Sequence, residues 1–205
     1  MERAPRKIGI MGGTFDPIHV GHLILGEKAF EQLDLDEVWY MPAGNPPHKR
    51  NRPGRASDEE RTEMVRLAVE DNPHFRLSLA EMHDEGYTYT YRTLERFREE
   101  NPEDRYYFII GADSLFNFET WMKPERIMKN CVMVVATRDH ASVQELDAEM
   151  ARLSEKYHGA FLRLDTLNID VSSAMLRDWV RDGKSIRYYT VAPVTEYIER
   201  HGIYR

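Results

Sequence analysis

The sequence has one cysteine, no long apolar run and no surplus of positive charge, and each absence removes a class of protein. Cys131 lies inside the run CVMVVA, so it has no internal disulfide partner and reads as a small core residue. No apolar run approaches the ~20 residues that a spanning helix needs. The opening MERAPRK leads straight into a strand pattern, so no secretory signal is expected. The formal net charge of −7 argues against general affinity for nucleic acid. Internal repeats, low-complexity tracts and linkers are also missing. A cytoplasmic protein with neither membrane nor nucleic-acid partners is the expectation, and a homo-oligomer is compatible with it.

What is present is a core-forming composition, 41% hydrophobic and 31% charged, which does not indicate disorder. Short apolar runs alternate with longer amphipathic ones. Strands are predicted at Lys7–Met11, Glu37–Met41, Phe75–Leu79, Arg105–Ile110, Cys131–Ala136 and Ala160–Leu164. Helices are predicted at Val20–Leu33, Asp58–Asp71, Tyr91–Glu100, Pro124–Lys129 and Val143–Tyr157. Ser57 with Glu60 has the form of a capping box for the second helix. Strands separated by helices imply βαβ units and a doubly wound, mostly parallel, Rossmann-like α/β sheet. From Ser172 onward the pattern is helical, first to Gly183 and then over Val191–His201. One domain spanning 1–205 is expected, with a sheet core over 1–170 and a helical C-terminal cap over 171–205.

The first strand runs into GGTFDPIHVGH, residues 12–22. Neither GxxxxGK[ST] nor GxGxxG occurs, although a strand–glycine–helix entry does. Gly12 and Gly13, placed after the strand, allow close backbone approach to a ligand. Thr14 and Asp16 can stabilise a turn, and Pro17 suits a helix entry. The free N–H groups of the following helix, with its dipole, form an anion site. His19 and His22, three apart, share one helical face and can reach one phosphate. Metal ligation by the pair is the competing reading, without a third nearby ligand to support it. The basic segment HKRNRPGR, His48–Arg55, stands out in an acidic chain; its plain reading is a solvated loop.

The string GGTFDPIHVGH resembles the signature of the HxGH nucleotidyltransferase superfamily, with His19-Val20-Gly21-His22 as its core. Five further segments resemble bacterial nicotinate-nucleotide adenylyltransferases: MPAGNPPHK (41–49), YTYRTL (89–94), IIGADSLFNFETW (109–121), VSSAMLR (171–177) and VTEYIERHGIY (194–204). They run in family order along nearly the whole chain. Two segments depart from the family. Ala174 stands where the SSTxIR motif has Thr, so that hydroxyl is lost or supplied by Ser172 or Ser173. The segment ATRDH, 136–140, differs from the usual ARPG and leaves the carry-over of Arg138 open.

The resemblance implies transfer of adenylyl from ATP to nicotinate mononucleotide, giving nicotinate adenine dinucleotide and pyrophosphate, a step of NAD biosynthesis. His19, His22, Lys49 and Arg177 are the implied catalytic residues. ATP would be met by Gly12, Gly13, Thr14, Phe15, His19, His22, Gly111, Asp113, Ser172, Ser173 and Arg177. Nicotinate mononucleotide would be met by Asn45, His48, Thr90, Asp113 and Trp121. Mg²⁺ would ride on the ATP phosphates, with no dedicated protein metal site. The rival readings are a nicotinamide mononucleotide or phosphopantetheine adenylyltransferase, a cytidylyltransferase, and a nucleotide-binding regulator without chemistry.

Overall fold

The computed structural model describes residues 4–44, 54–82, 87–137, 142–167 and 169–205. The described residues form six strands: β1 (Lys7–Gly13), β2 (Glu37–Pro42), β3 (Phe75–Leu77), β4 (Arg105–Gly111), β5 (Val132–Ala136) and β6 (Phe161–Leu164). Among the described residues these are accompanied by the α-helices α1 (Val20–Leu33), α2 (Asp58–Val69), α3 (Thr90–Glu100), α4 (Ala112–Phe116), α5 (Pro124–Asn130), α6 (Val143–Tyr157), α7 (Ser173–Arg181) and α8 (Ala192–His201). A 3₁₀ turn covers Phe118–Thr120.

The sheet order is β3-β2-β1-β4-β5-β6, and the pairs β1–β4, β4–β5 and β5–β6 are parallel. Strand order reverses between β1 and β4, which makes the carboxyl ends of those two strands the switch point where ligands bind in such sheets. The expected doubly wound α/β fold is therefore present. Ile8, Ile10, Met133, Val134 and Val135 are fully or almost fully buried, as strands covered on both faces require. Gly9 has a packing reason, because a Cβ there would lie 2.8 Å from Leu35 Cδ1.

The described chain forms two compact units, one of Met1–Gly12, Leu25–Trp39 and Tyr89–Asn168, the other of Gly13–Ile24, Tyr40–Thr88 and Ile169–Arg205. The first holds most of the sheet. Its interior includes Phe108, Leu115, Phe118, Ile127, Leu146 and Leu153, with Trp39 edge-on to Phe97 at 5.3 Å. The second gathers Phe15, Tyr40, Met64, Val65, Leu176, Val194 and Ile198 around the post-β1 loop, with α8 packed on α2.

Local chemistry explains the helix ends. Ser57 and Glu60 form the expected capping box at α2, and Ser142 with Glu145 forms another at α6. Gly202, at φ 62°, ends α8 in the left-handed conformation, with its N–H donating to Glu199 O. Cys131 is buried, as expected, and burial pushes its thiol from 9.0 up to about 12.

Several local expectations require correction. β1 extends to Gly13, so Gly12 and Gly13 are strand residues and not a turn after it. The reason is continued backbone pairing: Ala43 N donates to Gly13 O at 2.8 Å. The left-handed residue of this turn is Phe15, at φ 48°, and burial of its ring holds it there. Pro17 follows a cis peptide and stands three residues before α1, so it is not a helix-entry proline. The α4 helix and the 3₁₀ turn, read from sequence only as motif, lie between β4 and α5.

Candidate active site

His19 and His22 are brought together at the start of α1. His19 O accepts from His22 N at 2.9 Å and from Leu23 N at 3.4 Å, so His19 opens the helix from just outside it. The two imidazoles stack with centroids 3.7 Å apart and planes 29° from parallel. His19 N donates to His22 Nδ1 at 3.2 Å. An accepting Nδ1 places the proton of a neutral His22 on Nε2, making that nitrogen a donor. Phe15 meets His22 edge-on at 5.0 Å, and Tyr40 donates to His22 O at 3.2 Å. Gly21 lies under the His19 ring: a Cβ there would sit 3.1 Å from Nδ1 and 3.3 Å from Val171 Cγ1. That close approach explains why glycine separates the histidines.

The loop before the histidines is anchored at Asp16, which is 1% exposed. Its Oδ1 accepts from Tyr204 OH at 2.7 Å and from Ala56 N at 3.1 Å. Its Oδ2 accepts from Arg55 at 2.9 Å. Arg177, on α7, donates to Asp16 O at 2.5 Å, while its nearest distance to the carboxylate is 3.6 Å. Burial first, and then the adjacent Asp16 charge, raise the Tyr204 pKa above that of an ordinary phenol. Its hydroxyl therefore stays protonated and donates.

Two serines prepare α7. Ser172 is its N-cap and accepts from Met175 N at 3.2 Å. Ser173 Oγ donates to Pro17 O at 2.8 Å, tying α7 to the histidine loop. Ala174 is exposed between α7's cap and Met175.

Arg61 is a second anchor that sequence reading did not single out. It is 4% exposed and donates to Thr14 O at 2.6 Å, Ala43 O at 2.9 Å and Asp58 at 2.6 Å. One guanidinium thus joins the loops that follow β1 and β2. Gly44 approaches Glu81 so closely that a Cβ would fall 1.9 Å from its carbonyl oxygen. Asn45, His48, Lys49 and Arg138 lie outside the described residues.

The remaining candidates belong to the sheet unit. Gly12 ends exposed at the β1 terminus, and Gly111 closes β4. Among the described residues, nothing lies within 4 Å of the place a Gly111 Cβ would take. Asp113 is exposed in the first turn of α4. Thr90 is the first residue of α3, not its cap; Tyr89 caps the helix without a side-chain bond. Trp121 is half-buried, 6.1 Å from Phe108 and 5.7 Å from Phe118. Around Tyr91 stand Lys123 at 5.1 Å, Arg126 at 4.5 Å and Arg92 at 5.8 Å. This cationic cluster at the start of α3 was not anticipated, because its members come from separate segments.

Among the described residues, no group of three or more His, Cys, Asp or Glu is placed to hold a metal ion. No described helix is long and apolar enough to cross a membrane.

Comparison with known proteins agrees with this geometry. The Cytidylyltransferase-like family profile matches residues 10–178. A protein of Lachnoclostridium phytofermentans named "Probable nicotinate-nucleotide adenylyltransferase" is 43% identical over 199 residues, 97% of this chain and 99% of its own. A Synechococcus protein of the same name is 41% identical, covering 97% of both chains. Among solved structures, the Plasmodium falciparum nicotinic acid mononucleotide adenylyltransferase complexed with NaAD superposes at a TM-score of 0.80. That likeness, at 19% identity over 97% of each chain, is one of fold. With relatives matched along their full length and the stacked HxGH pair in place, this chain belongs to the nicotinate-nucleotide adenylyltransferases, a family of nucleotidyltransferases.

Proposed function

We propose that this chain transfers the adenylyl group of ATP to nicotinate mononucleotide, forming nicotinate adenine dinucleotide and releasing pyrophosphate in NAD biosynthesis. The observation that carries the reading is the His19–His22 stack with Nδ1 of His22 already occupied as an acceptor. It supports Nε2 of His22 as the donor to the α-phosphate.

A phosphate oxygen of the mononucleotide attacks the α-phosphorus in line. The bond from α-phosphorus to the bridging oxygen breaks, and its electron pair leaves with pyrophosphate. No protein nucleophile is required, so rate enhancement comes from positioning and from stabilising charge on the transferring group. His22 donates to the α-phosphate, His19 holds the His22 ring, and the start of α1 adds its dipole. Gly12 and Gly13 at the end of β1, with Thr14 and Phe15 in the loop after it, lie beside the triphosphate. Lys49 and Arg177 neutralise the departing β- and γ-phosphates, with the fork of Arg177 suited to that geometry. Ser172 and Ser173 order the α7 terminus that presents Arg177.

At the end of β4, no described atom lies within 4 Å of a Gly111 Cβ, which suits close approach of nucleotide, and Asp113 would accept from ribose hydroxyls. Trp121 offers a ring to stack on nicotinate. Backbone N–H groups at Thr90 meet the nicotinate carboxylate, favouring the acid over the amide. Asn45 and His48, which follow β2 in the sequence, would meet the mononucleotide. Mg²⁺ carried on the ATP phosphates would neutralise part of their charge. A donor set of histidine, lysine and arginine suits a metal carried by the nucleotide. The chain acts as one transferase domain in the cytoplasm, and its net charge of −7 disfavours a nucleic-acid substrate.

Pyrophosphate release measured with ATP and, in parallel, nicotinate mononucleotide, nicotinamide mononucleotide or phosphopantetheine tests the reading. Release with the first substrate above the other two is expected. Preference for phosphopantetheine, or release with none, contradicts it.

A further inference from the structure

Arg177 has two possible anionic partners, the Asp16 carboxylate beside it and an incoming phosphate. The structure gives it an ion pair with the first, at 3.6 Å, and no hydrogen bond to it. Its guanidinium bonds the backbone carbonyl of Asp16 at 2.5 Å, yet stays 3.6 Å from the carboxylate, beyond direct hydrogen bonding. Among the described residues these are its polar contacts, so most of its five N–H donors remain for a ligand.

The Asp16 carboxylate is satisfied from elsewhere. Tyr204 and Ala56 N fill Oδ1, and Arg55 fills Oδ2. Tyr204 reaches the site because the left-handed turn at Gly202, followed by Tyr204 at φ 70°, folds the chain back after α8. The other acidic group felt by Tyr204, Glu60, has its carboxylate engaged by Ser57 N at 2.7 Å. A buried carboxylate deprived of a donor would take the nearest cation to replace it. Arg55 already holds Oδ2, so the next cation in reach is Arg177, at 3.6 Å.

We infer that Tyr204 and Arg55 are positioning residues that saturate Asp16 and thereby leave Arg177 available to the triphosphate of ATP. The inference deepens the proposed function and rests on its placement of ATP. Neither residue touches the nucleotide; each acts through Asp16 on Arg177. A purely structural role would lower stability and affect both substrates alike.

The test is ATP affinity by calorimetry, independent of turnover, for wild type, Tyr204→Phe, Arg55→Gln, Arg177→Ala and both double variants with Arg177→Ala. Arg55→Gln covers the case in which Tyr204→Phe folds poorly, since the Arg55 side chain is 31% exposed. Each single variant is expected to weaken ATP binding about tenfold, the scale of a lost hydrogen bond to a charged group. Nicotinate mononucleotide KM should stay within about twofold, because both residues act through Arg177, which the proposed mechanism assigns to the ATP phosphates. In the Arg177→Ala background the same substitutions should change ATP affinity little. Equal factors in both backgrounds, unchanged ATP affinity in the single variants, or parallel loss of mononucleotide affinity overturns the inference. Wild-type pyrophosphate release separates the two levels. If wild type turns over and ATP affinity ignores Tyr204 and Arg55, this inference alone fails. If wild type releases no pyrophosphate, the proposed function fails.

Discussion

His19 N–H points at Nδ1 of His22, 3.2 Å away, while the two rings lie 3.7 Å apart. The first residue of the motif therefore fixes the tautomer and the aim of the second. This coupling accounts for their spacing: three residues put one backbone donor and one side-chain acceptor across the first turn of α1.

Gly21→Ala tests that coupling without removing either histidine. The added Cβ would meet the His19 ring at 3.1 Å and Val171 at 3.3 Å. Alanine also favours an α-helix over glycine by about 1 kcal/mol, which offsets much of the crowding. The expected result is a Tm within a few degrees of wild type and kcat lowered about tenfold or more, as for a displaced catalytic group. Unchanged kcat would show that the ring position does not matter.

Gly44→Ala is expected to behave differently. A Cβ 1.9 Å from Glu81 O leaves no space, so the backbone must move. Stability should fall by about 1–3 kcal/mol, the usual range for overpacking. Denaturant unfolding measures it; an unchanged midpoint would contradict the close approach.

Much of this was legible in the sequence. Alternating apolar and amphipathic runs gave α1 and α6 to the residue, and the Ser57–Glu60 box marked α2. Local signals sufficed there because caps and periodicity act within one element. The turn at Phe15 was not legible: the left-handed conformation fell on an aromatic beside two glycines, held by tertiary burial. Arg61 and Tyr204 were missed as anchors of the loop after β1 for a related reason. Arg61 reads as a solvent-facing helix arginine, and Tyr204 lies 188 positions from Asp16, so only folding reveals their partners. Arg55, read as part of a solvated basic loop, is instead bonded to Asp16.

Alkaline pH should expose the buried thiol. Burial raises Cys131 from 9.0 to about 12 in the fold. Because the folded pKa is the higher one, its stabilising contribution is complete below about pH 9 and is lost as pH rises toward 12. Tyr204, also raised, acts in the same direction at still higher pH. Unfolding free energy measured between pH 8 and about 11 should therefore decline less steeply in Cys131→Ala than in wild type. Parallel slopes would contradict the assignment.

Trp121→Ala separates stacking from packing. The proposed role predicts weaker nicotinate mononucleotide binding with ATP affinity retained, measured by separate titrations. Equal loss of both would assign Trp121 to its contacts with Phe108 and Phe118.

The most direct measurement of the central claim is kcat for adenylyl transfer to nicotinate mononucleotide by His22→Ala, with its Tm recorded alongside. The account predicts a fall of about 10²-fold or more, the scale of losing one preorganised transition-state donor, at nearly unchanged Tm. Turnover within about twofold of wild type would contradict it, because the donor at Nε2 would then contribute less than about 0.5 kcal/mol to the barrier.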